Sequence, residues 1–369
     1  MKFICESDDL KNAVAIVAHG ANGKTLNPIL EGIKIAAENG TVTFFATDLE
    51  IYLRKTIKAD IKKDGIAILP GRLFADYVGK IDGGQISFTA ESDTAVIEHG
   101  DDNRGNFGCL PANEYPDLIN LNEKPAFTIK AGNLKDIITK TTLFASIDNA
   151  RPILRGVLFE IDAKGHELTA VALDGFRLAK ITKPISGSAT DTKIIIPARS
   201  LDEIKKILTD ENEDINIIIE NKFVQVAVGS TVFASRLIDG EFVNYKQIIP
   251  TEFSSSVVVE TNALLSAVNR ASLLSRNEKV NLVSLTIGDK QIKIDANSEL
   301  GKINEKVPAN LEGGDIKIAF NSKYLFDAIN TGSSEFIKIA FNSPLAPCVI
   351  TNAKSDDYLF LVLPVRLGV

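Results

Sequence analysis

The chain has 369 residues, with 41 lysines and arginines against 48 aspartates and glutamates, giving a net charge of −7 at neutral pH. A hydrophobic fraction of 45% and a charged fraction of 24% are ordinary for globular proteins and exclude disordered, collagen-like and coiled-coil classes. The length predicts two or three domains of roughly 150 residues, and the acidic balance excludes wrapping nucleic acid over the whole surface, because that binding neutralises phosphates with Lys and Arg.

The N-terminal Phe3-Ile4-Cys5-Glu6-Ser7-Asp8-Asp9-Leu10-Lys11-Asn12-Ala13-Val14 reads as a strand followed by an amphipathic helix, with Ser7 as the expected cap. Further on, Leu69-Pro70-Gly71-Arg72-Leu73-Phe74 again takes a strand into a helix, and alternating residues Ile86, Phe88 and Ala90 lead to a turn at Ser92-Asp93. Leu110-Pro111 closes this stretch. The same succession then returns. Phe127 to Ile138 aligns without gaps on the first segment, Ile196-Pro197-Ala198-Arg199-Ser200-Leu201 on the second, and Leu237-Ile238 on the closing pair, with turns at Asn221-Lys222 and Gly229-Ser230. A third round follows in Val257 to Val268, with Thr261 as the expected cap, then in Phe320-Asn321-Ser322-Lys323-Tyr324-Leu325 and Leu363-Pro364. Each copy is strand, helix, strands, helix, strands, an α+β unit of about 125 residues. Linkers fall at residues 112–126 and 239–254, which carry Pro116, Pro125 and Pro250.

Little in the chain suggests catalysis. Gly20-Ala21-Asn22-Gly23-Lys24-Thr25 resembles a phosphate-binding loop but lacks the earlier glycine and follows a helix. Asp210, Asn212 and Asp214 have calcium-loop spacing, yet Ile215 stands where the loop needs glycine. His19, His99 and His166 share no ligand spacing, and Cys5, Cys109 and Cys348 are too scattered for a zinc cluster or disulfide framework. No cofactor, no metal and no catalytic residue is expected. Apolar runs such as Tyr358 to Val365 fall short of the roughly 18 residues that span a bilayer, and Met1-Lys2-Phe3-Ile4 does not open a signal peptide, so a cytoplasmic protein is expected. One charge pattern stands out: Arg72, Arg199 and Lys323 recur at the start of the second helix, where the helix dipole disfavours a cation.

The triple unit, the paired Asn27-Pro28-Ile29-Leu30 and Arg151-Pro152-Ile153-Leu154 segments, the Ala172-Leu173-Asp174-Gly175-Phe176-Arg177-Leu178 run and the terminal Leu363-Pro364-Val365-Arg366-Leu367 together resemble the bacterial sliding-clamp family, the beta subunit of DNA polymerase III. The resemblance covers the whole chain. It implies three repeated clamp domains at 1–122, 123–252 and 253–369, with helices lining an inner face and antiparallel sheets outside. It further implies a head-to-tail homodimer closing as a ring around duplex DNA, a processivity factor in DNA replication. The partners it implies are sequence-independent double-stranded DNA, the DNA polymerase III catalytic subunit, a clamp loader, and other polymerases and repair proteins carrying clamp-binding peptides; no membrane is among them. A protein-binding scaffold of the same fold that never encircles DNA is the alternative.

On this resemblance, candidate DNA-facing residues are Lys24, Arg72, Lys80, Lys140, Asn149, Arg199, Lys205, Lys206, Arg270 and Lys323. The peptide pocket maps onto Leu154, Leu173, Gly175, Phe176, Arg177, Leu178, Val243, Ile248, Val362, Leu363, Pro364, Val365, Arg366 and Leu367, with the arginines at its rim. The dimer contact maps onto Phe107, Leu273 and Leu274. The chain departs from the family pattern at Leu173, where a small or hydroxyl residue is usual, at Val243, where proline is common, and in the Gly368-Val369 extension.

Overall fold

A computed structural model describes residues 1–21, 27–116, 124–187, 190–275, 281–288 and 290–366. Lys24, Leu367 and the Gly368-Val369 extension lie outside the described residues.

Every strand-to-helix passage of the repeat is present. Lys2–Glu6 runs into α1 (Ser7–Ala18), Gly65–Pro70 into α2 (Gly71–Val78), and Phe127–Lys130 into α3 (Ala131–Thr141). Thr192–Pro197 runs into α4 (Ala198–Ile207), Ser255–Glu260 into α5 (Thr261–Ser275), and Ile316–Asn321 into α6 (Ser322–Gly332). The helices bury the stripe their periodicity prescribes: Leu10, Ala13, Val14 and Val17 on α1, Leu134, Ile137 and Ile138 on α3, Leu264, Ala267, Val268 and Ala271 on α5.

The capping expectation fails at both positions. Ser7 and Thr261 are the first helical residues rather than caps, and their buried hydroxyls have no hydrogen-bond partner. The strand enters the helix without an intervening loop, so the residue before the helix is the strand's last. In α5 that residue is Glu260, whose Oε1 accepts from the Asn262 amide at 3.0 Å and whose Oε2 accepts from the Ala263 amide at 2.7 Å. The middle copy carries Ala131 at the position of Ser7, equally buried. Ser7→Ala is therefore expected to raise stability by about 1 kcal/mol, since it removes an unpaired buried hydroxyl. A urea midpoint that rises at unchanged slope is the supporting result; a lower midpoint would contradict it.

The chain divides into two compact units. The first comprises Met1–Gly132 and Arg199–Leu237, the second Asn133–Ala198 with the chain from Ile238 onward. In the first, Asp60–Lys63, Lys2–Glu6, Gln85–Glu91, Thr94–His99 and Asn103–Gly108 form a five-stranded sheet in that order. An eight-stranded sheet runs Phe127–Lys130, Asp214–Glu220, Phe223–Val228, Thr231–Arg236, Ile51–Lys58, Thr41–Thr47, Gly32–Glu38, Gly65–Pro70. The turns fall at the expected places, with Ser92, Asn221, Lys222 and Gly229 at positive φ, as tight hairpins require.

The second unit holds one twelve-stranded sheet. Its order begins Thr192–Pro197, Gly156–Asp162, Glu167–Leu173, Arg177–Pro184, Tyr358–Val362, Cys348–Asn352. It continues Phe336–Phe341, Ser255–Glu260, Gly301–Glu312, Gln291–Ser298, Leu282–Gly288, Ile316–Asn321. The units cut across the middle copy because strands from successive copies pair directly. Ile51–Lys58 pairs with Thr231–Arg236 in the first unit, and Arg177–Pro184 pairs with Tyr358–Val362 in the second. A ladder between copies uses the same backbone hydrogen bonds as one within a copy.

Candidate docking groove and nucleic-acid interface

Arg177 is tied to its surroundings by several bonds, and a local turn places it. Asp174 Oδ1 accepts from the Phe176 and Arg177 amides at 2.9 and 3.0 Å, and Gly175 between them sits at φ +95°. A Cβ at Gly175 would also come within 3.2 Å of Arg151 Nη1. This turn sends Phe176 outward, 56% exposed, and Arg177 inward, 8% exposed. Arg177 Nε donates to Asp174 Oδ2 at 2.9 Å, Nη1 to Asp327 Oδ2 at 2.6 Å, and Nη2 to the Leu143 carbonyl at 2.9 Å. Its guanidinium lies over the Tyr324 and Phe144 rings, 4.6 and 5.2 Å from their centroids. The expected rim arginine is thus a buried strut joining the turn, α6 and the segment after α3. Two carboxylates compensate its charge, so its geometry is fixed rather than free to meet a ligand.

Leu154, Leu173 and Leu178 are buried together with Leu158, Val171, Ile195, Tyr245, Val349 and Leu361, whereas Val362, also buried, pairs with Arg177 and Cys348 and so faces the other side of the sheet from Leu361. Val243 and Ile248 remain 42% and 37% exposed, next in the chain to Phe242 and Ile249, which pack against this cluster, and Phe176 stacks on Tyr324 with ring centroids 5.9 Å apart. The chain after Tyr358–Val362 forms the next wall. The Leu363 amide donates to the Phe176 carbonyl and the Val365 amide to the Ala319 carbonyl, both at 2.8 Å. Pro364 falls between them, where no amide is needed. Arg366 is exposed. Phe176, Val243 and Ile248 are large apolar side chains left exposed in this unit, the kind of surface that marks interaction sites when it is gathered in one patch.

The cluster is tied to the segment after residue 238 through Tyr245, whose hydroxyl donates to Glu160 Oε2 at 2.6 Å. Lys193 meets Glu160 Oε1 at 2.8 Å and Lys246 approaches to 3.5 Å. Burial opposes ionisation of Glu160, but the hydrogen bonds from Lys193 and Tyr245 and the charges of Lys193 and Lys246 outweigh it, holding the carboxyl below its ordinary value. Burial, then Glu160, pushes the Tyr245 hydroxyl up. A depressed folded-state pKa means that the contribution of Glu160 to stability is fully present above the ordinary value of 4.5 and is lost as pH falls through the depressed one. Glu160→Gln is expected to flatten that part of the acid-unfolding profile, followed through tyrosine fluorescence, since the chain contains no tryptophan. An unchanged profile would contradict the linkage.

The candidate DNA-facing residues divide by charge compensation. Arg72, Lys80 and Lys323 are exposed and outside any ion pair among the described residues, and Asn149 is exposed on a loop. Arg199 Nη2 meets Asp48 Oδ2 at 2.9 Å, Lys206 reaches both Glu203 oxygens at 2.9 Å, and Arg270 holds Glu305 through two bonds of 2.8 Å. Lys140 is 11% exposed, bonded to Asp136, which Lys183 also meets at 2.7 Å. Lys205 is half-buried. The recurring trio is therefore chemically unequal: Arg72 and Lys323 present free charge, whereas Arg199 is matched to a carboxylate. In the acidic loop, Lys130 Nζ takes the place of a cation, meeting Asp214 Oδ1 at 2.8 Å and the Asn212 carbonyl at 3.1 Å.

Phe107 lies on the edge strand Asn103–Gly108, 7% exposed, its ring against Tyr77 and Phe74 at 5.1 and 6.5 Å. Leu273 on α5 is 56% exposed and Leu274 half-buried.

Sequence reasoning missed Asp174 and Asp327 as partners of Arg177, the Phe144 and Tyr324 rings, and the Glu160–Tyr245 bond. Tyr324 alone left a signal: the positions matching it in the other copies are Leu73 and Leu201's neighbour Ser200, neither aromatic.

Three family descriptions match in succession: DNA polymerase III beta subunit, N-terminal domain, over residues 1–120; central domain over 128–244; and C-terminal domain over 246–366. The chain is 32% identical to the beta sliding clamp of Halalkalibacterium halodurans, covering 99% of this chain and 100% of the relative. It is 30% identical to the beta sliding clamp of Staphylococcus epidermidis, covering 99% of each. Among solved structures, the DNA polymerase sliding clamp from Bacillus subtilis superposes with a TM-score of 0.95 at 31% identity over 100% of both chains. With the repeat, the fold and full-length likeness in agreement, the chain belongs to the DNA polymerase III beta subunit family.

Proposed function

We propose that this chain is a DNA sliding clamp: two copies close head-to-tail into a ring around duplex DNA and tether the replicative polymerase through the groove beside Phe176. The observation that carries this reading is an unfinished series of strand pairings. Ile51–Lys58 pairs with Thr231–Arg236, and the equivalent Arg177–Pro184 pairs with Tyr358–Val362. The third equivalents are Gly301–Glu312 and Asn103–Gly108. Gly301–Pro308 pairs on one side with Gln291–Ser298, and Asn103–Gly108 ends its sheet. A second copy satisfies both edges at once, and the same heterologous contact made twice closes a ring.

In this reading the three clamp domains are 1–122, 123–252 and 253–369, and Phe107, Leu273 and Leu274 belong to the contact between copies. Arg72, Lys80 and Lys323 face phosphates without reading bases, so the ring slides. The work is topological and needs no bond-making chemistry, cofactor or metal. Partners are the DNA polymerase III catalytic subunit, a clamp loader, and other polymerases and repair proteins carrying short apolar docking peptides, all in the cytoplasm. Among the described residues no helix is long and apolar enough to cross a membrane.

The test is sedimentation of the purified chain followed by retention on nicked circular DNA after loading. A dimer that stays on the circle and leaves once it is linearised supports the clamp. Retention indifferent to DNA ends overturns encirclement, and peptide binding without any loader-dependent DNA retention selects the scaffold.

A further inference from the structure

The two junctions between copies inside the chain follow one pattern, in which the turn of one copy's hairpin meets the last strand and the second helix of the next copy. The three hairpins align by register, since Thr47 faces Tyr52, Leu173 faces Leu178 and Asn297 faces Lys302. Their turns align too: Asp48 Oδ1, Asp174 Oδ1 and Ser298 Oγ accept from the amides of Glu50, Phe176 and Leu300 at 3.0, 2.9 and 3.2 Å. The last strands align through the bonds that follow them. The Leu110, Ile238 and Val365 amides donate to the Ile68, Ile195 and Ala319 carbonyls, which puts Gly108 in the place of Arg236 and Leu363.

At the first junction Ile51 faces Ser235, and the Arg236 amide donates to the Glu50 carbonyl. At the second, Arg177 faces Val362, and the Leu363 amide donates to the Phe176 carbonyl. The second helix of the next copy meets the turn both times. Arg199 of α4 reaches Asp48 Oδ2 at 2.9 Å, and Tyr324 of α6 stacks on Phe176 with ring centroids 5.9 Å apart. Two members of the pattern are left over: the third copy's turn, and the first copy's last strand with α2. Both carry a large apolar side chain in the open. Leu300, in the place of Phe176, is 79% exposed, and Leu73, in the place of Tyr324, is 58% exposed.

We infer that a second copy docks in the register of the two internal junctions, with Lys302 facing the partner's Asn106, Asn304 facing the partner's Arg104, and Leu300 packed on the partner's Leu73. The inference rests on the clamp reading above and gives its contact a register. Gly301 then faces the partner's Phe107, and the partner's Gly108 amide donates to the Leu300 carbonyl. Backbone bonds form equally well in any register, so the side chains that become buried select one. Here the selecting pair is two leucines, where the first junction uses an ion pair and the second a ring stack. Ser298 supplies no carboxylate at the position where Asp48 holds Arg199. Arg72, in the place of Arg199, therefore keeps its charge for phosphate.

The experiment is disulfide trapping in the full-length chain carrying Cys109→Ser. Lys302→Cys with Asn106→Cys, and Asn304→Cys with Arg104→Cys, should link most chains covalently to a partner, because directly opposed β-carbons lie about 4.5–5.5 Å apart. The crossed pairs, Lys302→Cys with Arg104→Cys and Asn304→Cys with Asn106→Cys, sit one diagonal away and should stay unlinked. A second arm reads the leucines by sedimentation. Leu73→Lys or Leu300→Glu alone should raise the dimer dissociation constant about a hundredfold, and the two together should recover at least about tenfold of that loss. Each variant is scored after a cooperative thermal melt. A dimer that links through the crossed pairs, or through neither set, would overturn the register. Single variants that dimerise as before, or a double variant without recovery, would overturn the leucine contact. An unaltered chain that sediments as a monomer at every concentration would overturn the clamp reading itself.

Discussion

Replacing Arg177 by alanine is expected to cost the second unit about 3–5 kcal/mol and to abolish peptide docking. The loss is large because the substitution leaves two carboxylates without their counter-charge: the Asp174 and Asp327 side chains are only 12% and 15% exposed. It also removes the donor to the Leu143 carbonyl and the plane on which Tyr324 rests. Asp174 would then face repulsion at the turn that presents Phe176, and the groove rim would lose its shape. Arg177→Lys keeps one charge but cannot bond both carboxylates and the carbonyl in fixed directions, so an intermediate loss is expected. Urea unfolding gives the stability, and fluorescence anisotropy of a labelled peptide gives the affinity. Arg177→Ala with unaltered stability would show that the hub is dispensable; unaltered affinity alongside lost stability would separate the hub from the groove.

The second large effect concerns assembly. Leu273→Asp is expected to turn the proposed dimer into a monomer, raising its dissociation constant roughly a thousandfold. Burying one leucine contributes about 1.5–3 kcal/mol, a head-to-tail dimer makes the contact twice, and each 1.4 kcal/mol is a factor of ten. Leu273 is 56% exposed within its own chain, so the substitution leaves the helix and its buried stripe of Leu264, Ala267, Val268 and Ala271 undisturbed. Sedimentation across a concentration series reads the shift, and an unchanged melting profile confirms that the fold survives. A variant that remains dimeric at every concentration would remove α5 from the contact. Monomers that lose retention on circular DNA while still binding peptide would separate encirclement from docking within one molecule.

The ion-paired and free cations belong to the same picture. Arg199, Lys206 and Arg270 are each matched to a carboxylate, so a phosphate must compete with Asp48, Glu203 or Glu305 for them. Arg72 and Lys323 face no such competition among the described residues. The net charge of −7 is thus compatible with weak, sliding contact to DNA, because acidic partners temper many of the basic side chains.

The repeat, its α+β succession and its turns were legible in the sequence because they are local. Leu10, Ala13, Val14 and Val17 repeat at helical spacing, and Asn221-Lys222 can only turn a hairpin. That Leu154, Leu173 and Leu178 belong together was legible through likeness of order and residue type, and the structure buries them in one cluster. The caps were misread because Ser7 and Thr261 have the right chemistry one residue too late, the strand having taken the cap position. What only the tertiary structure decided is who meets whom: Arg177 with Asp327, 150 residues away, Tyr245 with Glu160, and Phe45 with Tyr115. Strand register brings such pairs together, and register follows from the joint burial of whole sheets rather than from any short run of residues. The sequence alone therefore determined that one unit is built three times. What each copy's surface became depended on side chains that become neighbours only when the hairpins pair, because volume and charge compensation act through space.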